Sequence, residues 1–193
     1  MVPHFARVHR WSPGPRNLRM ARPAPRNAGL SLPECLAALS VLAVVAALCF
    51  PALGSLLYSL RADALRMTLH TSLNRARYEA ITRRELIGVC ASADGLQCSP
   101  DWGEGWIMYR SGIHRRPPAS AADVLAHHQE RSGLQLSAHG TEGRPQLFFQ
   151  ADGRSPGANA TLRICHDGRQ LGQVVINNGG RTRSTRIVTP TPC

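Results

Sequence analysis

The stretch "GLSLPECLAALSVLAVVAALCFPALGSLLYSL", residues 29–60, decides how the rest of the chain is read. No side chain between Cys35 and Leu60 is charged. Its central part, Leu36 to Leu57, would make roughly 33 Å of helix, enough to cross a hydrocarbon core of about 30 Å. An ionised carboxylate at the head of such a run is costly unless it is paired. Glu34 therefore needs a partner or a function. Cys35 and Cys49, inside the run, read as small apolar residues.

The charge around this run is uneven. The chain has 193 residues and a formal net charge of +11, and its 23 basic residues are all Arg. Residues 1–29 hold six Arg and no acid; the remainder holds 17 Arg against 12 acids. A cluster of Arg ahead of a span predicts a cytoplasmic N-terminus. An ordinary secretory signal carries a small-residue cleavage site after its apolar segment. The stretch there, "GSLLYSLRADALR", is a weak site. The sharper pattern precedes the run: Gly29-Leu30-Ser31-Leu32-Pro33-Glu34.

That pattern resembles the class III signal of type IV pilins and pseudopilins: Gly, an apolar residue, Glu fifth after the Gly, then a charge-free span. The resemblance implies cleavage by a prepilin peptidase between Gly29 and Leu30 and methylation of the new N-terminus. It implies that Glu34 pairs with that amine on a neighbouring subunit during assembly. Leu30 stands where the family usually has Phe. Pro51 falls where many pilins carry a helix-bending Pro, and Pro33 falls in the first turn, where Pro is harmless. The leader is long for the family; a start at Met20 would give "MARPAPRNAG", of typical length, and is the expected start.

Beyond the span, Ala62, Leu65, Leu69, Leu73, Ala76 and Ala80 recur at spacings of three and four, one apolar stripe on an amphipathic helix. Such a stripe needs cover. After Gly88 the period shortens. Runs rich in β-formers follow at Gly105–Arg110, Gly133–Ala138, Gln146–Gln150, Thr161–Cys165, Gln173–Ile176 and Arg186–Thr189, separated mostly by Gly, Pro, Asn and Asp. Val124–His128 suits a short helix or a strand, and residues 111–121 read as a surface loop. The expected organisation is a leader (1–29), a membrane-spanning helical half (30–60), an amphipathic half (61–87) and a β-rich head (88–193). The fold class is α+β, a long N-terminal helix packed on an antiparallel sheet.

This half of the chain also resembles GspH/FimT-type minor pseudopilins. The shared features are Arg77, Glu79, Ala80 and Ile81, then Cys90, Asp94-Gly95, Cys98, Trp102, Gly105 and Trp106, and later "LFFQADGRSPGANATLRIC" and "GQVVINNGGRTRS". The resemblance runs from Gly29 to about Arg186. It implies a subunit anchored in the inner membrane with its head in the periplasm, whose partners are other pilins, met through the N-terminal helix. Two fibres fit: a type IV pilus, or the pseudopilus of a type II secretion system.

Four cysteines lie beyond the span: Cys90, Cys98, Cys165 and Cys193. An even number there suggests disulfides in an oxidising compartment. A 90–98 bridge would close a loop of about nine residues and contribute roughly 2–3 kcal/mol; a 165–193 bridge would close about 29 and contribute roughly 3.6 kcal/mol. The pairing is open at this point. Zinc is not expected, since no CxxC pair or His cluster is present. His127 and His128, with Asp123 or Glu130, suggest acid–base or metal chemistry only faintly; solvated side chains are the plainer reading. No nucleophile–base pair or phosphate-binding loop stands out. A membrane-anchored periplasmic enzyme is therefore a remote alternative, and no cofactor is expected.

The basic end is more distinctive. Gly180-Arg181-Thr182-Arg183, with Arg186 close by, has no acid between Asp167 and Cys193. If extended, it projects Arg181 and Arg183 from one face, and guanidinium groups bind phosphate bidentately. Gly179 and Gly180 would let the backbone approach a ligand. Gly180, Arg181 and Arg183 match the Gly-Arg-x-Arg pattern associated with DNA binding in FimT-type members involved in natural transformation. That resemblance implies contacts to double-stranded DNA through Arg181 and Arg183, helped by Arg186. A solvated basic tail, or a surface packing on another pilin, fits the same residues equally well.

Overall fold

The structure, a computed structural model, describes Gly29 and residues 31–112, 114–140 and 146–193. The leader, Met20 and Leu30 lie outside the described residues. The chain divides into two compact units after Val45.

The first unit, where described, is the start of helix α1 (Leu32–Arg83). The Ser31 amide and hydroxyl both donate to the Glu34 carboxylate, each at 3.0 Å. The Cys35 amide donates to the Ser31 carbonyl at 3.1 Å, the first turn of the helix. Ser followed three residues on by a Glu that reaches back to the Ser amide is one arm of a capping box. The carboxylate also faces the positive end of the helix dipole.

The second unit holds the rest of α1, which is helical through position 51, and, among the described residues, eight strands. The helix stops at Arg83 rather than near residue 87. Arg84 takes a left-handed φ of 55°, and the Glu85 amide reaches back to the Ala80 carbonyl, a common way to end a helix. Strand β1 (Ile87–Ala91) starts directly afterwards.

The strands form two antiparallel four-stranded sheets, not one. The first has the order β3 (Val124–Gln129), β2 (Gly105–Arg110), β1, β5 (Gln146–Phe149). The second has the order β4 (Gln135–His139), β6 (Ala160–His166), β7 (Arg169–Ile176), β8 (Thr182–Pro192). Val124–His128 is thus strand: its residues pair with β2, for example Trp106 with His128 and Ile107 with His127.

Both sheets cover the helix stripe. Ala62, Leu65, Leu69, Leu73, Ala76 and Ala80 are buried in one core with Ile87, Val89, Met108 and Phe149 of the first sheet and Leu136, Leu162, Ile164, Val174 and Ile176 of the second. Burying a Leu side chain fully stabilises by about 1.5–3 kcal/mol. The stripe is what holds helix and sheets together.

Candidate functional site

The two sheets differ on their outer faces. On the first sheet, Cys90, Ile107, Tyr109 and Phe148 form a second buried cluster, with Cys98 and Val124 packed against it. The Cys90–Cys98 disulfide holds the β1–β2 connection there. Asp94 organises that connection: its Oδ1 accepts from the amides of Leu96 and Gln97, both at 2.8 Å. Bonds from the Gln97 and Leu96 amides hold its carboxyl below the usual range. The Tyr109 hydroxyl is buried, which raises its pKa, and a Cβ on Gly88 would run into its ring.

The second sheet is open on its outer face. Register aligns Ser137, Arg163, Gln173 and Thr185 in one row and His139, Thr161, Val175 and Arg183 in the next. None of these is fully buried. The four strands of this sheet contain Arg163, Arg169, Arg183 and Arg186 and no acid.

Strand β8 is an edge of that sheet, and α1 pins its inner side at three points. Thr182 Oγ1 donates to Asn74 Oδ1 at 2.7 Å. Arg66 Nη1 donates to Ser184 Oγ at 2.6 Å. Arg186 Nη1 lies 3.3 Å from Asp63 Oδ2, and Asp63 also pairs with Arg66 at 3.2 Å. Alternation along the strand turns Arg183 outward with Arg181 just before it, and both are exposed. Among the described residues neither guanidinium has an ion-pair partner.

Arg186 and Gly180 have partners within the chain. Arg186 lies on the helix-facing side, where Asp63 pairs with it, while Arg181 and Arg183 carry no ion pair among the described residues. Gly180 has a structural role of its own in the turn. It has φ 70°, and a Cβ there would meet the Gly153 carbonyl. The Gly180 amide donates to the Asn177 carbonyl and the Arg181 amide to Asn177 Oδ1, closing the β7–β8 turn. The strand begins at Thr182 rather than Arg186 because its polar inner residues find partners on the helix.

The Cys165–Cys193 disulfide fastens the far end of β8 to β6. Of His127, His128, Asp123 and Glu130, His128 and Glu130 meet, but the four do not form one cluster. The His128 ring stacks on Trp106, with centroids 4.2 Å apart, and its Nε2 is 3.1 Å from Glu130. Burial pushes the Glu130 carboxyl up, but hydrogen bonds from Ser132, His128 and Arg131 outweigh it and hold it low. Asp123 instead accepts from the amides of Ala119 and Ser120. Among the described residues no group of three or more His, Cys, Asp or Glu is placed to hold a metal.

Gly29 is exposed, and Glu34 sits in the first turn of α1 with Ser31 as its partner. The pilin-like signal accounts for Glu34 without Ser31. The spacing S-x-x-E, a common mark of a helix start, is the signal that points to this pair.

No curated protein matches the chain by sequence. Among solved structures, the chain is similar to the type IV minor pilin FimU of Pseudomonas aeruginosa, with TM-score 0.51 and 23% identity over 67% of this chain and 96% of that one. The minor pseudopilin EpsH from the type 2 secretion system of Vibrio cholerae gives TM-score 0.47 and 20% identity over 65% of this chain and 97% of that one. The FimU likeness supports the same architecture, a long N-terminal helix with an antiparallel head. The family model for the type II transport protein GspH matches residues 66–180, more than half of the chain, and the chain belongs to that family.

Proposed function

We propose that this chain is a minor pilin or pseudopilin, a subunit built into a pilus-like fibre. The observation that carries the reading is the division of α1. Every Leu, Val and Phe described from Leu32 to Leu60 is more than half exposed, while the stripe from Ala62 to Ala80 is buried under the chain's own sheets. The helix is long and apolar enough to cross a membrane. In this reading the exposed half anchors the precursor in the inner membrane with the head in the periplasm. A prepilin peptidase cuts between Gly29 and Leu30, the new amine is methylated, and the exposed half then packs among neighbouring helices. Glu34 exchanges its Ser31 contacts for a neighbour's amine, a pairing that gains strength out of water.

The test of processing is co-expression with a prepilin peptidase. The expected product begins at Leu30, and Gly29→Val leaves the precursor uncut. A product beginning after the apolar run would overturn the reading.

A second reading is favoured by the pinned strand β8. Arg183, on the acid-free face of the second sheet, and Arg181, just before β8, stand exposed and without ion pairs among the described residues, which suits the phosphates of double-stranded DNA. It favours a type IV pilus that handles DNA over the pseudopilus of a secretion system, which is the alternative assembly. Two or three phosphate contacts give weak binding without base readout, with log K falling against log salt at a slope of about −2 to −3. Replacing both Arg181 and Arg183 by Gln should abolish detectable binding at low salt; equal binding by wild type and variant would remove the DNA reading and leave the fibre reading intact.

A further inference from the structure

Beside the last turns of the apolar run lies a cavity of about 360 Å³, lined by Gly54, Tyr58, His166, Arg169, Leu171 and Val188 among others. The β6–β7 hairpin builds one wall. Its tip turns through Asp167 (φ 48°) and Gly168 (φ 71°), both left-handed, as a tight Asp-Gly hairpin requires. The His166 ring stacks on Tyr58 of α1, centroids 3.6 Å apart and planes at 23°. The Cys193 amide donates to the Gly168 carbonyl at 3.0 Å, and the Cys165–Cys193 bridge ties the end of β8 to the same hairpin. The site is therefore held from three sides.

The cavity lining carries one guanidinium, that of Arg169, and one carboxylate, that of Asp167. The Arg61 guanidinium lies 5.6 Å from the Tyr58 ring centroid. Asp167, the acid of the tip, is 3.4 Å from His166 Nε2. Arg169 is exposed and has no ion pair among the described residues. Val188, 86% exposed, adds an apolar rim beside the cavity.

The height of the cavity identifies the anion. About 20 residues of helix fill the hydrocarbon core, so a span beginning at Leu36 leaves it near Ser55. Gly54 to Arg61 then runs through the headgroup layer, where Tyr and Arg side chains anchor membrane helices. This step rests on the membrane-spanning reading given above. We propose that the β6–β7 hairpin tip, with Arg169 lining the cavity and Arg61 over the Tyr58 ring, binds the phosphate of a phospholipid headgroup in the membrane that α1 crosses. Guanidinium groups supply the bidentate donors, and Val188 meets the first methylenes of the acyl chains. The precursor's head is thereby seated on the membrane surface before it is drawn into a fibre.

The test uses the full chain in neutral detergent micelles. Hydrogen exchange at the amides of residues 166–171 is followed on adding short-chain phosphatidylglycerol, the matching diacylglycerol, or inorganic phosphate. Exchange is expected to slow with phosphatidylglycerol alone. Arg169→Gln should raise the lipid concentration required by about tenfold, the loss of one charge-assisted contact, and Arg61→Gln should act in the same direction. Arg181→Gln should change nothing. Equal slowing by diacylglycerol would reduce the site to apolar contact, and equal slowing by inorganic phosphate would make it a free-anion site. Either result overturns the proposal, as does an unchanged lipid dependence in both the Arg169 and Arg61 variants. Alkaline extraction of native membranes separates the two readings: a released chain removes the membrane span along with the lipid site, whereas a retained chain with no lipid effect removes the lipid site alone.

Discussion

The two halves of α1 are built from similar residue types and meet opposite fates. From Ala62 to Ala80, six apolar residues at helical spacing are covered by two sheets of the same chain, and four of them have no exposed surface at all. From Leu32 to Leu60 the apolar residues surround the helix, and no Leu, Val or Phe described there is more than half covered. A stripe can be satisfied by one partner on one side; a helix that is apolar all round needs an environment. The stripe half completes a domain, while the described residues leave the other half more than half exposed, and we propose that its cover lies outside the chain. In our proposal that is first a bilayer and then the helices of neighbouring subunits.

Mutations can break this comparison directly. Leu69 is fully buried between the sheets. Leu69→Ala should destabilise the head by about 2–5 kcal/mol, read by near-ultraviolet circular dichroism during urea unfolding in detergent. Leu48→Ala, in the exposed half, should leave the same transition within about 0.5 kcal/mol; a comparable loss there would mean that the chain covers its own anchor. Next in size, replacing Cys165 and Cys193 by Ser should cost about 3–4 kcal/mol and replacing Cys90 and Cys98 about 2–3 kcal/mol. Intact mass with and without reductant should differ by about four hydrogens, as two bridges require. Smaller again, Gly180→Ala should cost about 1–3 kcal/mol, because the position is left-handed and closed by the Gly153 carbonyl. A neutral Gly180→Ala would show that the turn does not depend on the glycine. Smallest of all, Arg181→Gln with Arg183→Gln should leave stability within about 0.5 kcal/mol, so any effect on DNA is one of binding and not of folding.

The long-range order of this fold is legible in the sequence where periodicity is strong. All six residues of the stripe can be picked out by spacing, and the α+β class follows from the change of period after Gly88. Separation into two sheets is not legible, since strand partners are chosen by tertiary packing and each run looks alike in isolation. Val124–His128 is ambiguous for the same reason; pairing with β2 settles it as strand. At the candidate site, the alternation of Arg181 and Arg183 is readable from spacing. The capture of Arg186 by Asp63 is not, because those residues lie far apart in sequence and only the docking of β8 on α1 brings them together. Glu34 is a third case. Its Ser31 partner lies three positions away in a common local motif, but the pilin-like pattern directs Glu34 to a neighbour's amine and leaves Ser31 without a role.

That local partner also sets the control for the most direct test of fibre assembly. Wild type, Glu34→Ala and Ser31→Ala are expressed with a prepilin peptidase and the matching fibre machinery, and sheared fibres are probed for each. All three should be cut at Leu30. Wild type and Ser31→Ala should be found in the fibres, the latter losing only a cap worth about 1 kcal/mol. Glu34→Ala should be cut normally and be absent from the fibres; its incorporation at the wild-type level would contradict the assembly role proposed for the anchoring half of α1.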